Sequence, residues 1–160
     1  MTVVAGDYEP GAYIIVGPKG TSAAIALGDV VELDTSNNVW KTAPATANQK
    51  GPFGVAVKAA ATADTTVSVL REGRVYVKTS GTIHPVRYVQ ADSANAGQVV
   101  EYVPITIATT PLQADVQAAR DEFSRIVGMY EGHENEGDGK TVPTNTTTND
   151  IIRVDFGIGG

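Results

Sequence analysis

Apolar and polar positions along this chain read as short strands separated by turn chemistry. The first stretch, Met1 to Ser22, holds Gly6, Pro10, Gly11, Gly17, Pro18 and Gly20 around one apolar run, Ala12 to Val16. It reads as an extended N-terminal arm, residues 1–22, carrying one strand. Chain ends are ordered only where something ties them down, so this arm is a candidate to pack on a neighbour. Asp29 to Leu33 follows Gly28 and is closed by the turn cluster Asp34 to Asn38, and Val39 to Lys41 returns at hairpin distance. Thr42 to Lys50 is a loop of small residues, Phe53 to Lys58 a strand, and Ala59 to Asp64 a connection. Thr65 to Arg71 and Arg74 to Lys78 both alternate with period two around Glu72-Gly73. That pattern predicts a β-hairpin over Val67 to Val77 with one solvated face.

Beyond a less regular stretch, Thr79 to Gly97, the period changes. Leu112, Val116, Ala119 and Phe123 are spaced by four, three and four residues, which puts them on one helical face. Thr110 suits the N-cap and Pro111 the first helical position, where its missing N–H costs nothing. Asp115 near the start and Arg125 near the end match the helix dipole. A helix over Leu112 to Arg125 that caps or flanks the sheets is expected. Ile126 to Tyr130 and Ile151 to Phe156 read as strands on either side of a polar loop, Glu131 to Asp150.

A weak duplication runs through this order. Gly28 to Leu33 (GDVVEL) matches Gly97 to Tyr102 (GQVVEY), Phe53 to Val57 resembles Val127 to Tyr130, and Val67 to Gly73 lines up with Ile151 to Gly157. The related halves are about 28–78 and 97–157, within one β-rich unit over 23–160. The duplication implies two similar small barrels or one barrel with internal pseudo-symmetry.

Composition narrows the chemistry. The 160 residues include no cysteine, which excludes thiol nucleophiles, disulfides and cysteine-based zinc sites. A formal charge of −6 is a poor match for nucleic acid, whose phosphates need a concentrated basic surface. No apolar run approaches the roughly 18–20 residues that span a bilayer, and the N-terminus lacks the pattern of a signal peptide. No partner membrane is expected, and assembly in the cytoplasm is. Only His84 and His133 are present, and no HExxH, Gly-x-Ser-x-Gly or P-loop pattern occurs. Gly17-Pro-Lys-Gly-Thr21 lacks phosphate-loop spacing and reads as a turn. The acidic stretch Glu131 to Asp138 reads as a solvated loop, with a calcium site through Glu131, Glu134, Glu136 and Asp138 as the alternative. No catalytic residue, metal ligand or cofactor is assigned, and an enzyme is not expected.

The strands of the first half resemble a known family. Gly28 to Leu33, Gly51 to Val57 and Val67 to Val77 follow one another as in the capsid decoration, or cement, proteins of tailed bacterial viruses. The resemblance covers about Leu27 to Val77, and reaches the second half only through the duplication. It implies a β-barrel or β-tulip-like fold, from which the helix and the acidic loop are departures; with the reading above, a mainly β fold with one short helix and an extended N-terminal arm is expected. It also implies an oligomer, often a trimer, that binds the major capsid protein on the outer face of an assembled capsid and stabilises it, with no active site. For capsid or inter-subunit contact the arm offers Tyr8, Tyr13, Ile14 and Ile15; pairing of these residues within their own sheet is the alternative. Two other readings suit the composition. One is another virion structural protein, a head fibre or tail component. The other is a carbohydrate-binding β module or small hydrolase, which would need Trp40, Tyr76, Tyr88 or Tyr130 exposed as a platform.

Overall fold

The computed structural model describes residues 3–20, 23–44, 51–107, 109–110, 112–134 and 150–157, the side chains of 131–134 excepted. Among the described residues nine strands and one helix form, in the order β1 (Tyr13–Pro18), β2 (Val30–Asp34), β3 (Val39–Thr42), β4 (Phe53–Ala56), β5 (Thr66–Lys78), β6 (Arg87–Ala91), β7 (Val99–Glu101), α1 (Gln113–Ser124), β8 (Ile126–Glu134) and β9 (Ile151–Phe156).

The strands lie in the order β3-β2-β4-β5-β9-β8-β6-β7, with β1 added to β5, and every pairing is antiparallel. This order is one unit used twice. A hairpin (β2–β3, β6–β7) is followed by a strand on the hairpin's first member (β4, β8) and then by a strand beside that one (β5, β9); the two units meet at β5–β9. One sequence match is corrected by this topology. Gly28 leads β2, the first strand of its unit, whereas Gly97 leads β7, the second strand of the other. The two segments look alike because each enters a strand from a left-handed glycine, at φ 84° and 75°. The other two matches, Gly54 with Gly128 and β5 with β9, occupy equivalent places.

The sheet curls into a half-barrel. Its far ends are tied together: the Val30 amide donates to the Gly97 carbonyl at 2.8 Å, and the Gly97 amide to the Ala43 carbonyl at 3.1 Å. Inside sit Val30, Val55, Leu70, Val75, Val77, Val89, Tyr130, Ile152 and Val154. A second core of Ile25, Val31, Trp40, Ala56, Ala60, Val67 and Val69 covers the other face of β2, β4 and β5. Successive residues of a strand point to opposite faces. Val30 and Val31, Val55 and Ala56, and Leu70 and Val69 therefore divide between the two cores. These strands are continuously apolar because both of their faces are buried.

The expected hairpin over Val67 to Val77 does not form; β5 runs unbroken for 13 residues. Val67 and Val69 face the second core, but Val75 and Val77 share the first core with Leu70. The side-chain parity has slipped by one between Leu70 and Val75. The slip is a bulge, because Tyr13 pairs with Glu72 and Ile14 with Leu70, leaving Arg71 extra. Gly73, at φ 125°, follows it with the backbone of Ala12 where a Cβ would stand. A bulge next to glycine thus gives the sequence signature of a turn, and it lets β5 pass from β1 and β4 to β9.

Two smaller expectations also change. Gly17 and Pro18 end β1 rather than form a turn, and Lys19 is buried with its ammonium donating to the Gly20 carbonyl at 2.9 Å. The N-cap is Leu112 rather than Thr110, and Asp115 accepts from the Leu112 amide there at 3.1 Å. None of the helix residues is buried, so its apolar stripe does not pack on the sheets as expected, and the helix meets them at its C-terminal end.

Candidate functional site

The second unit, which carries most of the exposed large hydrophobic side chains among the described residues, presents an open apolar face. It begins at α1. The C-terminal end of the helix is fixed to β6, where Glu122 accepts from Gln90 Nε2 and from Arg125 Nη1, both at 3.0 Å. Arg125 is almost fully buried and also reaches the Ala91 carbonyl at 3.5 Å. From this anchor the helix projects, and its apolar stripe stays open: Leu112 is 70% exposed, Val116 43% and Phe123 59%.

Residues from β6 and the segment after β7 extend the face. The Phe123 ring meets Tyr102 edge-on, with centroids 6.3 Å apart. Val116, Ala119, Arg120 and Phe123 line an open groove of about 530 Å³ together with Tyr102 and Ile107. A second open cleft, about 570 Å³, lies between Val86, Arg87, Tyr88, Glu101, Tyr102 and Val103. Val103, Ile105 and Ile107 are exposed as well. Val86 stands out with φ at 57°, a left-handed backbone that a β-branched residue adopts at a cost of about 1–3 kcal/mol. The fold thus holds an exposed valine in a strained conformation at the edge of this face. Exposed apolar side chains gathered around two clefts that share Tyr102 make this face a candidate docking surface.

The cleft is held by one polar lock. Glu101 Oε2 accepts from the His84 amide at 2.7 Å and lies 2.8 Å from His84 Nδ1. Burial pushes the Glu101 carboxyl up, but the hydrogen bonds from His84 and the charges of His84 and Arg87 outweigh it and hold the group below its ordinary value. A depressed carboxyl contributes stability that is present above its unfolded value, about 4.3, and is lost as pH falls through the folded one. Melting temperature is therefore expected to fall on acidification below about pH 4.5, with Glu101→Gln removing part of that slope. Thermal scans of both proteins between about pH 3 and about pH 6 check it; parallel curves would dismiss the lock.

The residues that the sequence singled out are not brought together. Tyr8 forms an isolated bridge to Val75 and leaves its ring 48% exposed; Tyr13, opposite Glu72 in β1, is 60% exposed. Ile14 packs on the inner core and Ile15 on the second core of their own chain. The described part of the arm is hydrogen-bonded along β5: the Gly6 amide donates to Tyr76, the Tyr76 amide to Asp7, and the Glu9 amide to Arg74. Glu9 also pairs with Arg153 at 2.7 Å. Of the four aromatic platform candidates, Trp40, Tyr76 and Tyr130 are buried and Tyr88 is exposed. Among the described residues no group of three metal-ligating side chains occurs; the acidic side chains of 131–138 lie outside them. Sequence reasoning found the helix stripe but turned it inward, and it missed Tyr102, Val103, Ile105 and Ile107. The alternation of Val103, Ile105 and Ile107 was the available signal, an apolar face on a segment that forms no strand.

No curated protein and no solved structure matches the chain. A protein family does: residues 5–71 match the one described as phage cement protein. The match runs from the arm to Arg71 in β5, under half of the chain, and ends before the exposed face of the second unit. The resemblance read from the first-half strands therefore stands, and over residues 5–71 the chain matches the phage cement protein family.

Proposed function

We propose that this protein is a structural component of a phage virion that binds the major capsid protein on the outer face of the assembled shell and stabilises it. The observation that carries this reading is the family match over residues 5–71. That span holds the arm from Ala5 onward, β1 to β4 and the first part of β5. It includes Tyr8 and Tyr13, whose half-exposed rings have the shape and chemistry of interface anchors. The stiff, doubly buried strands β2, β4 and β5 suit a part that transmits load between subunits. On this reading the protein is a homo-oligomer, the trimer implied by the resemblance being the expected form. It assembles in the host cytoplasm, takes no nucleic acid, membrane or cofactor as partner, and has no catalytic role.

Capsid shells lacking the protein provide the test. Added wild-type protein is expected to co-sediment with them and to raise their disruption temperature. Replacing Tyr8 and Tyr13 together by alanine is expected to weaken binding at least about tenfold, or about 1.4 kcal/mol, with little change in melting temperature because both rings are half-exposed. Unchanged binding by this variant would move the contact off the arm. Failure of the wild type to sediment with any shell would remove the capsid reading.

A further inference from the structure

We infer that α1 is a self-association element, pairing in parallel with the same helix of a second copy around a symmetry axis that runs along it. The argument starts from register. The spacing of Leu112, Val116, Ala119 and Phe123 is that of a heptad seam, with Leu112 and Ala119 at d positions and Val116 and Phe123 at a positions. The same assignment puts Asp115 at g and Arg120 at the e of the next heptad. In a parallel pair, g of one helix faces that e of its partner. Asp115 then meets Arg120 of the second copy, and symmetry makes the pair again on the other side. Antiparallel packing would instead set g against g, bringing Asp115 towards Glu122 of the second copy with like charge.

The geometry of the single chain agrees. Arg120 is exposed and makes no ion pair among the described residues, while its partner candidate Asp115 is held at the helix start by the Leu112 amide. Glu122, the other acid on the Asp115 flank, is turned onto Gln90 and Arg125, so it secures the helix to β6. A helix of 12 residues is too short to pair stably by itself. Here it is anchored at one end, and Tyr102 and Ile107 beside the seam enlarge the apolar face a partner would cover. Several hydrophobic side chains exposed by roughly half amount to several hundred Å² of apolar area, on the order of what one side of a stable interface buries. Parallel pairing works around a two-fold or a three-fold axis alike. The inference rests on α1 and its flanks and not on the capsid reading.

A single engineered cysteine tests it, because the chain has none of its own. Parallel pairing brings Ala119 of one copy to Ala119 of the next, within disulfide reach. Full-length Ala119→Cys is expected to form a covalent dimer under mild oxidation, seen on a non-reducing gel. Ala118→Cys, on the outer side of the helix, is expected to link at least about tenfold more slowly. Light scattering is expected to show an oligomer for the wild type, a lower mass for Arg120→Glu, and a monomer for Phe123→Glu with its far-UV circular dichroism unchanged. The inference is overturned by Ala119→Cys linking no faster than Ala118→Cys, or by a monomeric wild type. It is equally overturned if the only effect on Ala119→Cys is protection by added capsid shells, which would give this face to the capsid. Shell binding is measured separately, so its failure would leave the cross-linking result intact.

Discussion

Replacing Gly128 by valine is expected to lower the melting temperature by about 6–12 °C, one of the largest effects of any single substitution in this chain. A Cβ at Gly128 would stand 2.3 Å from the Asp155 carbonyl oxygen and 2.8 Å from Val154 Cγ1. The first of these belongs to the backbone of β9 and cannot move without breaking the β8–β9 ladder. Overpacking a tight site costs about 1–3 kcal/mol, and a rigid backbone neighbour puts this one at the upper end. Gly54 occupies the same place in the other unit. It pairs with Val31 of β2 as Gly128 pairs with Val89 of β6, and its Cβ would meet Val69 Cγ1 at 2.2 Å and the Leu70 carbonyl oxygen at 2.9 Å, both on β5. Gly54→Val is therefore expected to cost about as much as Gly128→Val. Gly81 is the control: nothing lies within 4 Å of its would-be Cβ, so Gly81→Ala should stay within about 0.5 kcal/mol of the wild type. Thermal unfolding followed by circular dichroism measures all three. A tolerated Gly128→Val would mean that β8 and β9 do not pack as closely as the geometry requires.

These two glycines also show how far the sequence could be read. The match of Gly54 with Gly128 was visible because each interrupts a short apolar strand, and the topology gives both the same neighbours. The match of Gly28 with Gly97 failed for a different reason. A left-handed glycine followed by two valines reports only the entry into a strand, and both β2 and β7 need that entry. Around Glu72-Gly73 the pattern was read as a reversal because period-two alternation resumed after a glycine. What it encoded was a parity slip, visible only once β1 supplies the register that leaves Arg71 unpaired. The helix was legible in period and nearly in length, yet its environment was not. An apolar stripe says that something covers it, and nothing local says whether the cover is the same chain. The arm poses the same question: Ile14 and Ile15 read equally as contacts to a neighbour or as residues paired in their own sheet, and both pack on cores of their own chain.

Removing the Trp40 side chain is expected to destabilise the protein by about 3–5 kcal/mol, the range for deleting a large buried aromatic. Trp40 is the largest side chain of the second core and is 2% exposed. Its indole lies where a Cβ on Gly17 would be, 2.6 Å away, so β1 can cross it only with glycine at that position. Arg71, the bulged residue of β5, stacks over the ring at 5.4 Å. The backbone at Trp40 also bridges Lys19, and its carbonyl accepts from the Gly20 amide at 2.9 Å. One residue of β3 thus fixes the end of β1, the bulge in β5 and the face of the second core. In Trp40→Ala the cavity should loosen the end of β1 first. Amide hydrogen exchange at Val16, Gly17, Lys19 and Gly20 is expected to speed up more than exchange in β8 and β9, whose core is separate. If Tyr13 anchors the protein on a capsid, shell affinity should fall in the same variant although Trp40 itself is buried. Trp40→Phe, which keeps an aromatic ring over Gly17, should recover most of the stability and of the binding. Uniformly faster exchange throughout the sheet would show that the two cores unfold as one and that Trp40 does not control the arm separately.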